Sequence, residues 1–219
     1  MKTEQASPLS SPLFGRRVLV AVSGSIAAVK TPLLVSALIK AGAEVRCLVT
    51  TSGAALVSPV ALASLSRHRC YLEADQWDSA SSRPLHIELA EWAELAIVAP
   101  LSASSLSRWS QGSADGLLAS VLLAMEAPVI AAPAMNTAMW RHPAVQRNWQ
   151  QVQSFPGVIP LVPASGLLAC DRVGDGRMAD PLLIELAASS VFSRGSGIPE
   201  MNLDCSGMSV LVSAGPTQE

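Results

Sequence analysis

Apolar positions along this chain fall into two alternating patterns. Near-continuous apolar runs occupy residues 18–22, 44–50, 95–99, 128–132 and 158–162. Between them, apolar residues recur at helical spacing over 26–40, 57–65, 86–92, a serine-rich stretch reaching about 124, then 135–150 and 181–192. Apolar runs of this kind, separated by helices, predict a Rossmann-like α/β fold: a parallel sheet covered by helices on both faces. The third run is expected to stop at Pro100, which cannot donate to a sheet ladder. Residues 72–85 are polar and read as a loop, and 164–180, rich in Gly and polar groups, as a mobile loop.

Sheets of this type bind ligands outside the carboxyl ends of their strands. That rule selects Gly24 and Ser25 after the first strand, the serines of 100–105 after the third, 133–136 after the fourth, and the loop after the fifth.

Composition narrows the field. The chain has 219 residues, half of them hydrophobic, only 15% charged, with a mean hydropathy of +0.37. Such a lean polar surface fits either faces buried against other subunits or an alanine-rich core. A net charge of −2 with no basic cluster excludes nucleic acid as a partner. No run of about 20 apolar residues is present to span a membrane. Cys47, Cys70, Cys170 and Cys205 show neither C-x-x-C nor zinc spacing, so they read as reduced cytosolic thiols and no metal is expected. Residues 1–15, Ser/Pro-rich at their start, are expected to be a disordered tail. The main domain then spans 16–192, and 193–208 has linker composition. A strand pattern resumes at 209–213 close to the end of the sequence, as expected of a piece of a longer protein.

Three separated signals carry chemistry. His86 can change protonation near neutral pH and serve as a base. Asn136, in the run Pro133-Ala134-Met135-Asn136, can orient a carboxylate through its amide, or simply cap a helix. Cys170 is followed by Arg172, Gly174, Gly176 and Arg177, so its thiolate would be favoured and its loop able to close. The turn Ser23-Gly24-Ser25 is neither a dinucleotide fingerprint nor a Walker loop, yet its backbone N–H groups suit a single phosphate. The serines at 102, 104 and 105 are either caps or phosphate donors, and Asp115 either a polar contact or part of a turn. Together these groups point to redox chemistry on a small acid.

With those residues assembled, the chain resembles the flavin-dependent cysteine decarboxylases over about residues 16–192. Pro133-Ala-Met-Asn-Thr-Ala-Met-Trp140 is similar to the family's P-x-M-N-x-x-M-[WY] motif. Cys170 with Gly174-x-Gly-Arg-Met178 resembles its substrate clamp, the segment beginning at His86 its active-site histidine segment, and Gly24 to Lys30 its flavin-phosphate turn. Residues 209–219 resemble the opening of a CTP-dependent synthetase domain, which places the likeness in the coenzyme A branch. Three positions depart from the family: Ser104 and Gly116 each replace Asn, and Asp171 replaces Gly.

The resemblance implies FMN as cofactor, with contacts at Gly24, Ser25, Ile26, Thr50, Ser102, Ser104 and Asp115. It implies 4'-phospho-N-pantothenoylcysteine as substrate, met by Ala134, Met135, Asn136, Arg177 and Met178. The expected reaction is oxidation of the cysteine moiety, loss of carbon dioxide, and reduction to 4'-phosphopantetheine with a proton from Cys170 and help from His86. A cytoplasmic homotrimer or dodecamer with FMN at the subunit interface is implied as well. Peptide-cysteine decarboxylation, prenyl-flavin formation and a non-catalytic regulatory flavoprotein are the alternatives.

Overall fold

A computed structural model describes residues 11–78, 82–167 and 173–193. Six strands form one all-parallel sheet: β1 (Arg17–Val22), β2 (Glu44–Val49), β3 (Cys70–Leu72), β4 (Leu95–Leu101), β5 (Val129–Pro133) and β6 (Val158–Pro160). Their order across the sheet is β3-β2-β1-β4-β5-β6. The first two crossovers run from β1 through β2 to β3, and the chain then returns to add β4 on the other side of β1. The expected Rossmann-like architecture is present.

Alternate residues of each strand feed two separate cores, as the period of two requires. Val18, Val20 and Val22 of β1 pack with α1 (Thr31–Lys40), α3 (Pro59–Ser66) and α9 (Pro181–Ser193). Leu19 and Ala21 pack with α4 (Leu85–Trp92), α5 (Ala103–Ser110), α6 (Leu117–Ala124) and α8 (Pro143–Gln153). The central strands are buried on both faces; each fully buried Leu or Val contributes roughly 1.5–3 kcal/mol of transfer free energy.

Several boundaries differ from those expected. Leu13 is fully buried and the Gly15 N–H donates to the Gly42 carbonyl, so residues 11–15 of the span assigned to a tail are part of the fold. The helix expected over 26–40 is a 3₁₀ turn (Ile26–Lys30) followed by α1, because Pro32 has no N–H to continue a single helix. β4 runs on to Leu101 through a cis Ala99–Pro100 bond, and the missing Pro100 N–H coincides with a shift of register against β5. The stretch 72–85 contains the end of β3 and a 3₁₀ helix, Glu73–Trp77.

The helix expected over 135–150 divides into α7 (Thr137–Trp140) and α8. Pro143 can only open a helix, and the His142 ring caps it by accepting the Ala144 N–H. The stretch 164–180 is not a bare loop: β7 (Ala164–Leu167) and β8 (Val173–Arg177) pair antiparallel. The short α2 (Thr51–Ala54) completes the order.

Candidate functional site

At β1 and β4 the chain leaves adjacent strands for opposite faces of the sheet, which opens a crevice at their carboxyl ends. Ser23 braces that crevice. Its hydroxyl donates to the Pro100 carbonyl and accepts the Ser102 N–H, both at 2.7 Å, and it is fully buried. Gly24 follows, where a Cβ would lie only 2.5 Å from that of Ser52. Only glycine therefore lets the two turns meet. Ser25 caps the 3₁₀ turn, Thr50 caps α2 and Ser102 caps α5. The capping role and the crevice position coincide in all three.

Two cavities meet there. One, of about 300 Å³, is walled by Thr50, Thr51, Ser52, Glu73, Ser105, Arg108 and Asp115. The other, of about 460 Å³, is walled by Ile26, Val29, Lys30, Ala134, Met135, Asn136, Met139, Arg177 and Met178. Gly24, Ser102 and Ser104 line both. The expected residues thus divide: Thr50 and Asp115 face the polar cavity, while Ser25, Ile26 and the 134–136 segment face the apolar one. Asp115 is also paired with Arg108 at 3.0 Å.

One side of the apolar cavity is formed by β8 and Met178 after it, and β8 is latched to the segment after β5. The Met135 N–H donates to the Gly176 carbonyl (2.9 Å), and the Thr137 hydroxyl to the Asp175 carbonyl (2.7 Å). The Asp175 carboxylate accepts from Ser165 at 2.6 Å and from Arg141 at 2.8 Å. The Ser165 and Arg141 hydrogen bonds hold its pKa below the usual aspartate value. Gly176 has φ +117°, and a Cβ there would run into the Met135 carbonyl. This docking brings Arg177 and Met178 beside Asn136, whose Oδ1 accepts the Ala138 N–H at 2.8 Å.

His86 stands apart. It lies in α4, lines neither cavity, and its Nδ1 is buried with no hydrogen-bond partner among the described residues. Cys170 falls outside the described residues. Cys47 and Cys70 are partners in the β2–β3 register, and burial pushes their thiols up to about 12 and about 11. Both stay protonated at neutral pH, consistent with a core role for Cys47. Sequence reasoning takes Ser23 only as part of a turn, and misses Glu73 and Arg108 as crevice residues. Glu73 follows a strand, the one available signal, but that strand is three residues long.

The architecture defines a doubly wound α/β protein with a crevice at its switch point. Residues 6–185 match the family model described as Flavoprotein, and the chain belongs to that family. It is 40% identical to the coenzyme A biosynthesis bifunctional protein CoaBC of Bacillus subtilis and 38% identical to that of Escherichia coli K12, over 94% of its length in each case. The chain spans about half the length of these curated relatives (49%). Among solved structures it resembles a PPC decarboxylase mutant complexed with pantothenoylaminoethenethiol (TM-score 0.76, 34% identity, covering 82% of this chain and 99% of that one). It likewise resembles the FMN binding protein AtHal3 (TM-score 0.75, 34% identity, 83% and 99%). No helix among the described residues is long and apolar enough to cross a membrane.

Proposed function

We propose that the chain binds FMN across the two cavities and decarboxylates 4'-phospho-N-pantothenoylcysteine to 4'-phosphopantetheine. The observation that carries this reading is the shared wall. Gly24, Ser102 and Ser104 join a polar cavity to an apolar one that also holds Asn136, Arg177 and Met178.

The residues fit the cofactor. The Gly24–Ser25 turn and the Thr50 and Ser102 hydroxyls suit a phosphate, Glu73 and Asp115 can accept from hydroxyl donors, and Ile26, Met135 and Met139 offer an apolar surface to a flat ring. When bound, FMN supplies a two-electron acceptor for the cysteine moiety and returns the pair after decarboxylation.

This chain's own residues do the rest. Asn136 orients the substrate carboxylate beside Met135. Arg177 and Lys30, the cationic side chains lining the apolar cavity among the described residues, attract the anionic substrate. The latched hairpin excludes water. The Cys170 thiol, which the sequence places between β7 and β8, donates the final proton in this reading.

His86 is assigned to the oxidation and decarboxylation steps. Since it lines neither cavity of its own chain, it reaches a site through assembly, as a homotrimer or dodecamer with FMN between subunits. Exposed Ile26, Val29, Leu33 and Met139 support such burial. A cytosolic location accords with the free thiols Cys47 and Cys70.

The test is product analysis by mass spectrometry, using FMN-loaded protein and phosphopantothenoylcysteine. Phosphopantetheine and carbon dioxide are expected; unchanged substrate contradicts the proposal. Asn136→Asp should abolish turnover by setting a charge against the substrate carboxylate.

A further inference from the structure

Gly116 poses a question that backbone conformation does not answer. Its φ is −171°, extended backbone open to any residue. Space supplies the reason: a Cβ at 116 would lie 2.7 Å from Glu73 Oε2. Glu73, in the 3₁₀ helix after β3, reaches across 44 sequence positions, and the same oxygen accepts the Leu117 N–H at 2.5 Å. It thereby caps α6, whose N-cap residue, Gly116, has no side chain to do so. The departure from Asn at 116 and the carboxylate at 73 are two halves of one arrangement.

That carboxylate does more than cap a helix. Glu73 lines the polar cavity beside Thr50, Ser102 and Asp115. Its second oxygen, Oε1, has no hydrogen-bond partner among the described residues, and no ion pair among them involves Glu73. Arg108, the one cation lining this cavity among the described residues, is taken by Asp115. An ionised carboxylate can only accept hydrogen bonds, and it repels phosphate.

We infer that Glu73 is a cofactor-positioning residue: one oxygen holds the start of α6, and the other accepts a hydrogen bond from a hydroxyl or ring N–H donor of the flavin. This rests on the FMN reading and adds to it a contact at Glu73. Because its partner is a donor, Glu73 acts on the phosphate-free part of the cofactor.

Glu73→Gln separates the two roles. Its amide oxygen can still accept the Leu117 N–H, while the charge and the second acceptor are lost. The unfolding temperature of the flavin-free protein should hold, and the dissociation constants of FMN and of riboflavin should both rise about tenfold, as expected for loss of a charge-assisted hydrogen bond. Glu73→Ala should lower the unfolding temperature as well, since the cap goes too. Unchanged flavin binding in Glu73→Gln reduces the residue to a cap and overturns the inference. Tighter FMN binding also overturns it, because that places the carboxylate against the phosphate. Failure of the natural chain to bind FMN is a different result, which removes the parent reading and this contact with it.

Discussion

The cavity framed by Thr50, Glu73 and Asp115 and the cavity framed by Ile26, Met139 and Met178 share Gly24, Ser102 and Ser104, yet they are built differently. The first is made from strand ends and helix caps of the main sheet. Its polar groups serve the backbone and the crevice at once: Thr50 and Ser102 cap helices, and Glu73 caps α6 from a distance. The second is closed by an added hairpin held by a few polar contacts to the segment after β5. The sheet-built half suits the polar end of a resident cofactor, and the latched half suits a substrate that exchanges beside the flavin ring.

The largest effect should come from the wall that both halves share. Ser23→Ala removes a fully buried hydroxyl and leaves the Pro100 carbonyl and the Ser102 N–H short of a partner. A cost of about 2–4 kcal/mol is expected, with loss of both FMN affinity and turnover. Urea unfolding and flavin titration measure the two; a variant that loses only one function breaks the idea of a shared wall.

Next comes Gly176→Ala, which places a Cβ against the Met135 carbonyl at a backbone angle that favours glycine. Turnover should fall by about tenfold or more while FMN affinity stays within about twofold. Equal loss of both would show that the hairpin also supports the cofactor half.

Smallest is Asp175→Asn, which weakens the exposed Arg141 contact and should reduce turnover by about threefold at most. Its pH dependence has a definite sign. The folded-state pKa is depressed, so the latch is fully present above the ordinary aspartate value and is lost as pH falls through the depressed one. Wild-type KM should therefore rise at acid pH more steeply than that of Asp175→Asn, and parallel profiles would remove the latch from the account.

How much of this was legible beforehand follows from where each signal lies. β1 and β4 declare themselves because both faces are buried and the runs are almost wholly apolar. The 133–136 segment stands out because it follows an apolar run, and it lies at the carboxyl end of β5. β3 escaped notice: Cys70, Tyr71 and Leu72 are too few to show a period, and missing them hid Glu73. The β7–β8 pair reads as a loop in the sequence because its strands, with Gly166 and Gly176, leave no alternating apolar face to detect. His86 stands out by motif, but its separation from the cavities is a property of α4's position in the fold, which no local pattern reports.

The central claim is that the switch-point crevice is a flavin site. It is tested most directly by titrating the flavin-free protein with FMN and following quenching of flavin fluorescence. Saturation at one FMN per chain, weakened by Ser23→Ala and left intact by Gly176→Ala, is the predicted result. No saturable quenching, or binding indifferent to Ser23, would contradict it.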